Sequence, residues 1–124
     1  MTSPLPADPV QAVRAFCAAA DTRDAENLER LLHPEFRVVF TAKGSTSAAI
    51  LPRSAWFGML REGKLGGVPR DTVILNATSE AGLAVVRATM QGASGRFESS
   101  FTVVREPEGY RIVQDAVMFT APST

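Results

Sequence analysis

At 124 residues the chain falls well below the length at which polypeptides divide into several cores, so a single domain over 1–124 is expected, with flexible arms at 1–7 and 120–124. Hydrophobic residues at 45% and charged residues at 21% exclude a disordered chain, a coiled coil, collagen and a solenoid. Thirteen basic against thirteen acidic residues leave a formal net charge of zero, which argues against a nucleic-acid partner and against binding to an anionic membrane.

Asp8-Pro9 supplies an N-cap and a first-turn proline, and Val10, Val13, Phe16, Cys17 and Ala20 follow at the spacing of an amphipathic helix. Asp21 to Asp24 breaks that helix, and Asp24 caps a second, shorter one with Leu28, Leu31 and Leu32 inward. His33-Pro34 stops it, because the residue before a proline is pushed out of the α region. Phe36 to Ala42 alternates as a strand with Phe36, Val38 and Phe40 on one face. After the turn at Gly44 to Ser47, Leu51-Pro52-Arg53 leads into a third helix carrying Trp56, Phe57 and Leu60, which Gly63 ends.

From Asp71 the pattern changes to strands over Thr72 to Ser79, Leu83 to Gln91, Arg96 to Arg105 and Tyr110 to Thr120. The short, glycine-bearing breaks between them predict antiparallel hairpins. Helices gathered early and strands late define an α+β layout. The last strand carries apolar groups on both faces, from Ile112 and Val113 to Met118 and Phe119, so both faces need a cover. Helices of the same chain supply one cover; a second copy supplies the other most simply, which predicts a homodimer through the sheet, with a folded-over loop or terminus as the alternative.

One cysteine, Cys17, and one histidine, His33, exclude a disulfide within the chain and a zinc tetrad, so no metal is expected. The start of the chain lacks a secretory signal and no stretch is apolar enough to cross a bilayer, so a cytoplasmic protein is expected. Without a P-loop or a dinucleotide fingerprint, no nucleotide cofactor is expected either.

Asp24 before a short helix, the run Leu31-Leu32-His33-Pro34-Glu35-Phe36, the helix-bearing crossover and the final Glu108-Gly109-Tyr110-Arg111-Ile112-Val113 together resemble the nuclear-transport-factor-2-like superfamily, in its SnoaL-like, ketosteroid-isomerase-like and lumazine-binding branches. The resemblance implies a cone-shaped, curved antiparallel sheet wrapped around three helices, an apolar pocket within the cone, and dimers packed through the sheet. Aligned on that family, Phe40 stands where the isomerases carry their proton-shuttling carboxylate, and Phe16 where their oxyanion-binding tyrosine projects. A phenyl ring neither accepts a proton nor donates a hydrogen bond, so ketosteroid isomerase activity is not expected. Ser99 falls where the lumazine-binding branch often has an aspartate, and Asp115 replaces the lysine of its final strand.

Strict alternation in the last strand puts Val113, Asp115, Val117 and Phe119 on one face, and the resemblance turns that face into the cone. Asp115 is then a carboxylate among apolar groups, whose raised pKa suits a proton acceptor or a ligand anchor, unless Arg87 or Arg37 pairs with it. Ser99 shares a face with Phe97, Phe101 and Val103 and is either a hydrogen-bond donor or a small filler. The expected function is binding of a compact apolar or aromatic molecule among Phe16, Phe36, Val38, Phe40, Trp56, Ser99, Phe101, Val113, Val117 and Phe119. Two alternatives stay open: an isomerase, dehydratase or cyclase with Asp115 as general acid or base, and a dimeric interaction module without a ligand.

Overall fold

The computed structural model describes residues 4–122. In chain order the elements are helices α1 (Pro9–Asp21) and α2 (Ala25–Leu31), strands β1 (Leu32–Ala42) and β2 (Ala49–Pro52), helix α3 (Arg53–Arg61), and strands β3 (Arg70–Glu80), β4 (Leu83–Gly92), β5 (Gly95–Glu106) and β6 (Gly109–Thr120). The strands form one sheet in the order β2-β1-β6-β5-β4-β3.

Local chemistry explains the helix starts. The Asp8 carboxylate accepts from the backbone N–H groups of Val10 and Gln11 at 2.8 and 3.1 Å, with Pro9 occupying a position whose missing N–H costs nothing. Asp24 accepts from Asn27 N at 3.3 Å and caps α2. Between the two helices the chain turns through Arg23, held at φ 52, a left-handed conformation uncommon outside glycine. Its guanidinium repays that strain by donating to the carbonyls of Gly63, Leu65 and Gly66 at 3.0 to 3.1 Å, which staples the α3–β3 loop to the end of α1.

The three hairpins of the β3–β6 meander form as the glycine-rich breaks suggest. The sheet is nevertheless mixed rather than antiparallel: β1 runs parallel to β6, with Val38 opposite Asp115 and Phe40 opposite Val117. A parallel neighbour requires a long crossover, and α3 with four intervening strands provides it. Strand β2, unmarked in the sequence pattern, exists because Leu51 pairs with Val38 along the free edge of β1. Strand β1 also starts earlier than the proline suggests, at Leu32, opposite Ile112.

Helices α1 and α3 cover one face of the sheet, and the core lies between: Val13, Phe16, Leu28, Phe36, Trp56, Phe57, Phe101 and Ile112 are all buried. Among the described residues no helix covers the other face, which is bare in that sense. The part of the expected N-terminal arm that is described, residues 4–7, is tied down through Leu5, which is buried, and through Pro6, whose carbonyl accepts from Tyr110 N at 2.9 Å. Residues 1–3, 123 and 124 of the expected arms lie outside the described residues.

Candidate functional site

Register determines which side chains meet on the helix-bearing face. Phe119, Phe97, Met90 and Thr72 are paired across β6, β5, β4 and β3, and form one row. The next row is Phe40, Val117, Ser99, Ala88 and Ile74; the third is Val38, Asp115, Phe101 and Val86. The middle row carries mostly small side chains between two bulky ones. Asp115 and Ser99 are diagonal neighbours in adjacent rows, close enough for their side chains to interact.

The sequence places Asp115 on the helix-bearing face for a partly mistaken reason. Val113 does not share that face with Asp115: it has no partner on β1 or β5, and this bulge lets Ile112 and Asp115 both point inward. Val113 is half-buried, and Ile112 takes the core position expected of it.

Asp115 is 7% exposed and Ser99 5%. The Ser99 hydroxyl lies within reach of the carboxyl but outside normal hydrogen-bond geometry, so Ser99 Oγ and Asp115 Oδ1 are both without a partner among the described residues. Burial pushes the Asp115 pKa up from 3.8 to about 7; the nearby Ser99 hydroxyl and the Arg70 guanidinium hold it back from rising further. Neither Arg87 nor Arg37 pairs with it: Arg87 lies on the bare face, and Arg37 donates to Gln114 Oε1 at 2.7 Å.

Around this pair stand residues with no local signal in the sequence. Asp21 closes α1 at the end where the helix dipole disfavours a negative charge, and Arg70 compensates for it. Arg70 Nε donates to Asp21 Oδ1 at 2.7 Å and its backbone N–H to Oδ2 at 3.1 Å. The Arg70 guanidinium also lies over the Phe97 ring, 5.0 Å from its centroid, and Phe97 packs against Phe119 at 4.9 Å. Cys17 faces the same region; burial raises its pKa to about 11, against the opposing pull of Arg70 and Thr72, so the thiol stays protonated and inert. Among the described residues no group of His, Cys, Asp and Glu side chains converges as metal ligands do.

The remaining candidates divide into two sets. Phe16, Phe36, Val38, Trp56 and Phe101 belong to the buried core, with the Phe16 ring centroid 5.6 to 6.2 Å from those of Phe36, Trp56 and Phe101. Phe40 and Phe119 are half-buried and Val117 buried, in the rows of the sheet next to Asp115 and Ser99. A groove of about 290 Å³ lies on the opposite, bare face, between Val39, Thr41, Arg87, Ser100, Ala116 and Met118. His33, expected with Pro34 to stop α2, is the second residue of β1, and its Nε2 lies 3.6 Å from Glu106 Oε2.

This architecture, three helices on one face of a curved, open, six-stranded mixed sheet, defines a nuclear-transport-factor-2-like protein. Among solved structures it is similar to such a protein of unknown function from Silicibacter pomeroyi DSS-3 (TM-score 0.76, 19% identity, 89% of this chain and 91% of that one). It is also similar to one of unknown function from Shewanella baltica OS155 (TM-score 0.76, 12% identity, 92% and 91%). A third similar structure is the "Putative calcium/calmodulin-dependent protein kinase type II association domain" of Thiobacillus denitrificans (TM-score 0.74, 16% identity, 98% and 100%). Residues 9–117 match the family described as "Putative lumazine-binding", and the chain belongs to that family. No curated protein matches it significantly. No helix among the described residues is long and apolar enough to cross a membrane.

Proposed function

We propose that this chain binds a small, planar, largely aromatic molecule on the helix-bearing face, between Phe40, Val117 and Phe119, anchored by Asp115 and Ser99. The observation that carries this reading is the pair of buried polar atoms, Ser99 Oγ and Asp115 Oδ1, without partners beside half-buried aromatic rings. Leaving a buried donor or acceptor unpaired costs about 1–3 kcal/mol, a cost that a bound ligand removes. Native mass spectrometry of the purified chain tests it. A ligand retained by the wild type and lost from Asp115→Asn and Ser99→Ala is the expected result; equal retention by all three overturns the reading.

A second reading, general acid–base catalysis by Asp115, is favoured by its pKa near 7, which suits proton transfer at neutral pH. A substrate with an acidic C–H next to a carbonyl would exchange that hydrogen with D2O in the presence of the wild type and not of Asp115→Asn. An interaction module without a ligand remains the outcome if both tests fail.

We infer further that two copies pair through the bare face. Ile50, Val73, Leu75, Leu83 and Val85 are the exposed large hydrophobics among the described residues, and strand alternation puts all of them on that face. Four of them lie on the adjacent strands β3 and β4, where neighbouring exposed apolar side chains favour an interaction surface, and Ile50 lies on β2 at the far edge.

A further inference from the structure

Arg70 is held more firmly than a surface ion pair requires, yet most of its donors are unused. Asp21 takes only Nε and the backbone N–H; Nη1 and Nη2 donate to no described residue. A pair serving stability alone would present the two-pronged end of the guanidinium to the carboxylate, the stronger arrangement. Here that end is left over, while Asp21 on one side and the Phe97 ring underneath hold the group in place, its side chain only 13% exposed. Phe97, which the guanidinium covers, stands two residues from Ser99 on the same face of β5, so Arg70 flanks the row that carries Ser99.

We propose that the ligand of this site is a small aromatic carboxylate, its carboxylate gripped by Arg70 Nη1 and Nη2 and by the Ser99 hydroxyl, its ring lying against Phe97 and Phe119. The inference rests on the ligand-binding reading above and adds the charge of the ligand. Arg70 and Ser99 supply hydrogen-bond donors, and Asp115 joins them as a donor when it carries its proton. The Phe97 and Phe119 rings, 4.9 Å apart and tilted 49° to each other, offer the apolar contact that a planar ring needs. Asp21 neutralises Arg70 while the site is empty and so competes with the ligand for it.

Titration of the full chain with benzoate, and in parallel with benzyl alcohol as its uncharged counterpart, followed by proton–nitrogen correlation NMR, tests the proposal. Benzoate is expected to move the Arg70 Nε–H and Ser99 amide signals and to bind about tenfold more tightly than benzyl alcohol, the gain typical of hydrogen bonds to a charged group. Arg70→Gln should remove that advantage and bring benzoate down to the affinity of benzyl alcohol. Asp21→Asn should tighten benzoate binding, because it removes the opposing negative charge while the Asn Oδ1 still accepts from Nε and keeps the guanidinium in place; a merely structural pair predicts no gain. If Arg70→Gln fails to fold, the Asp21→Asn result decides. Equal binding of both probes at Phe97 and Ser99, or no tightening in Asp21→Asn, overturns the carboxylate inference and leaves the ligand-binding reading. Absence of any shift at Phe97, Ser99 and Asp115 with either probe overturns both.

Discussion

Ile112 and Asp115 point to the same face of β6 although three residue steps separate them, because Val113 has no partner on either neighbouring strand. Without that bulge the alternation from Ile112 would carry Asp115 to the bare face, where a carboxylate meets water and has an ordinary pKa. One extra residue thus converts a surface acid into a buried one.

The buried carboxyl makes stability depend on pH in a direction opposite to that of a paired carboxylate. Its folded pKa of about 7 lies above its unfolded value of 3.8, so the folded state holds the proton more tightly. Asp115 therefore costs nothing below its unfolded pKa, a growing amount as pH rises toward the folded one, and a constant amount above it. Asp115→Asn removes this dependence. The stability difference between variant and wild type should shift in favour of the variant by about 4 kcal/mol between acidic and mildly alkaline solution, checked by urea unfolding at both extremes.

Ser99→Ala should leave stability within about 1 kcal/mol of wild type, since it removes a hydroxyl that is itself unpaired. The same change takes away a group that holds the Asp115 pKa down, so the carboxyl should titrate above 7. Carbon-detected NMR of the Asp115 carboxyl measures this; a downward shift contradicts the geometry.

The Arg23 staple and Gly66 make one joint of the fold. Gly66 has φ +73, and a Cβ there would lie 2.6 Å from the Ala20 carbonyl oxygen. Gly66→Ala should cost more than the about 1 kcal/mol of an ordinary left-handed glycine replacement, because backbone must move as well. Arg23→Ala, which releases three carbonyls at once, should cost about 2–3 kcal/mol and raise amide exchange in residues 63 to 67. Thermal unfolding and hydrogen exchange check the two.

Pairing through the bare face predicts that Val85→Asp, alone or with Leu75→Asp, yields a monomer by analytical ultracentrifugation while circular dichroism keeps its wild-type form. Both side chains are more than a third exposed in the single chain, so the folded monomer loses little by the change. A wild type that sediments as a monomer at micromolar concentration would count against this interface.

Much of this architecture is legible in the sequence because it is local. Asp8-Pro9 and Asp24 announce their helices, and Gly82, Gly95 and Gly109 sit in the hairpins that their neighbours suggest. What the sequence leaves unread is set by partners far along the chain. Ala49–Pro52 becomes a strand only because β1 offers an edge, and the parallel β1–β6 register has no local signature. The site shows the same division. Asp115 stands out as the lone acid in an apolar strand, whereas Asp21, Arg70 and Phe97 come from a helix end and two separate strands and meet only in the folded chain. Aromatic residues expected to line a site also pack against one another, since apolar rings with no polar tip lower their free energy most by mutual contact.

The pairing of β1 with β6 has a bearing on how the chain is made. The β3–β6 meander joins sequence neighbours and can assemble as it leaves the ribosome, whereas β1, synthesised long before, waits for the last strand with one flank open. Docking of that flank closes a loop of most of the chain, the kind of contact that slows folding and exposes a nascent strand to aggregation in the interval. Chaperone dependence during synthesis should therefore concentrate on the Phe36–Phe40 stretch, and hydrogen-exchange pulse labelling should find its amides the last to gain protection.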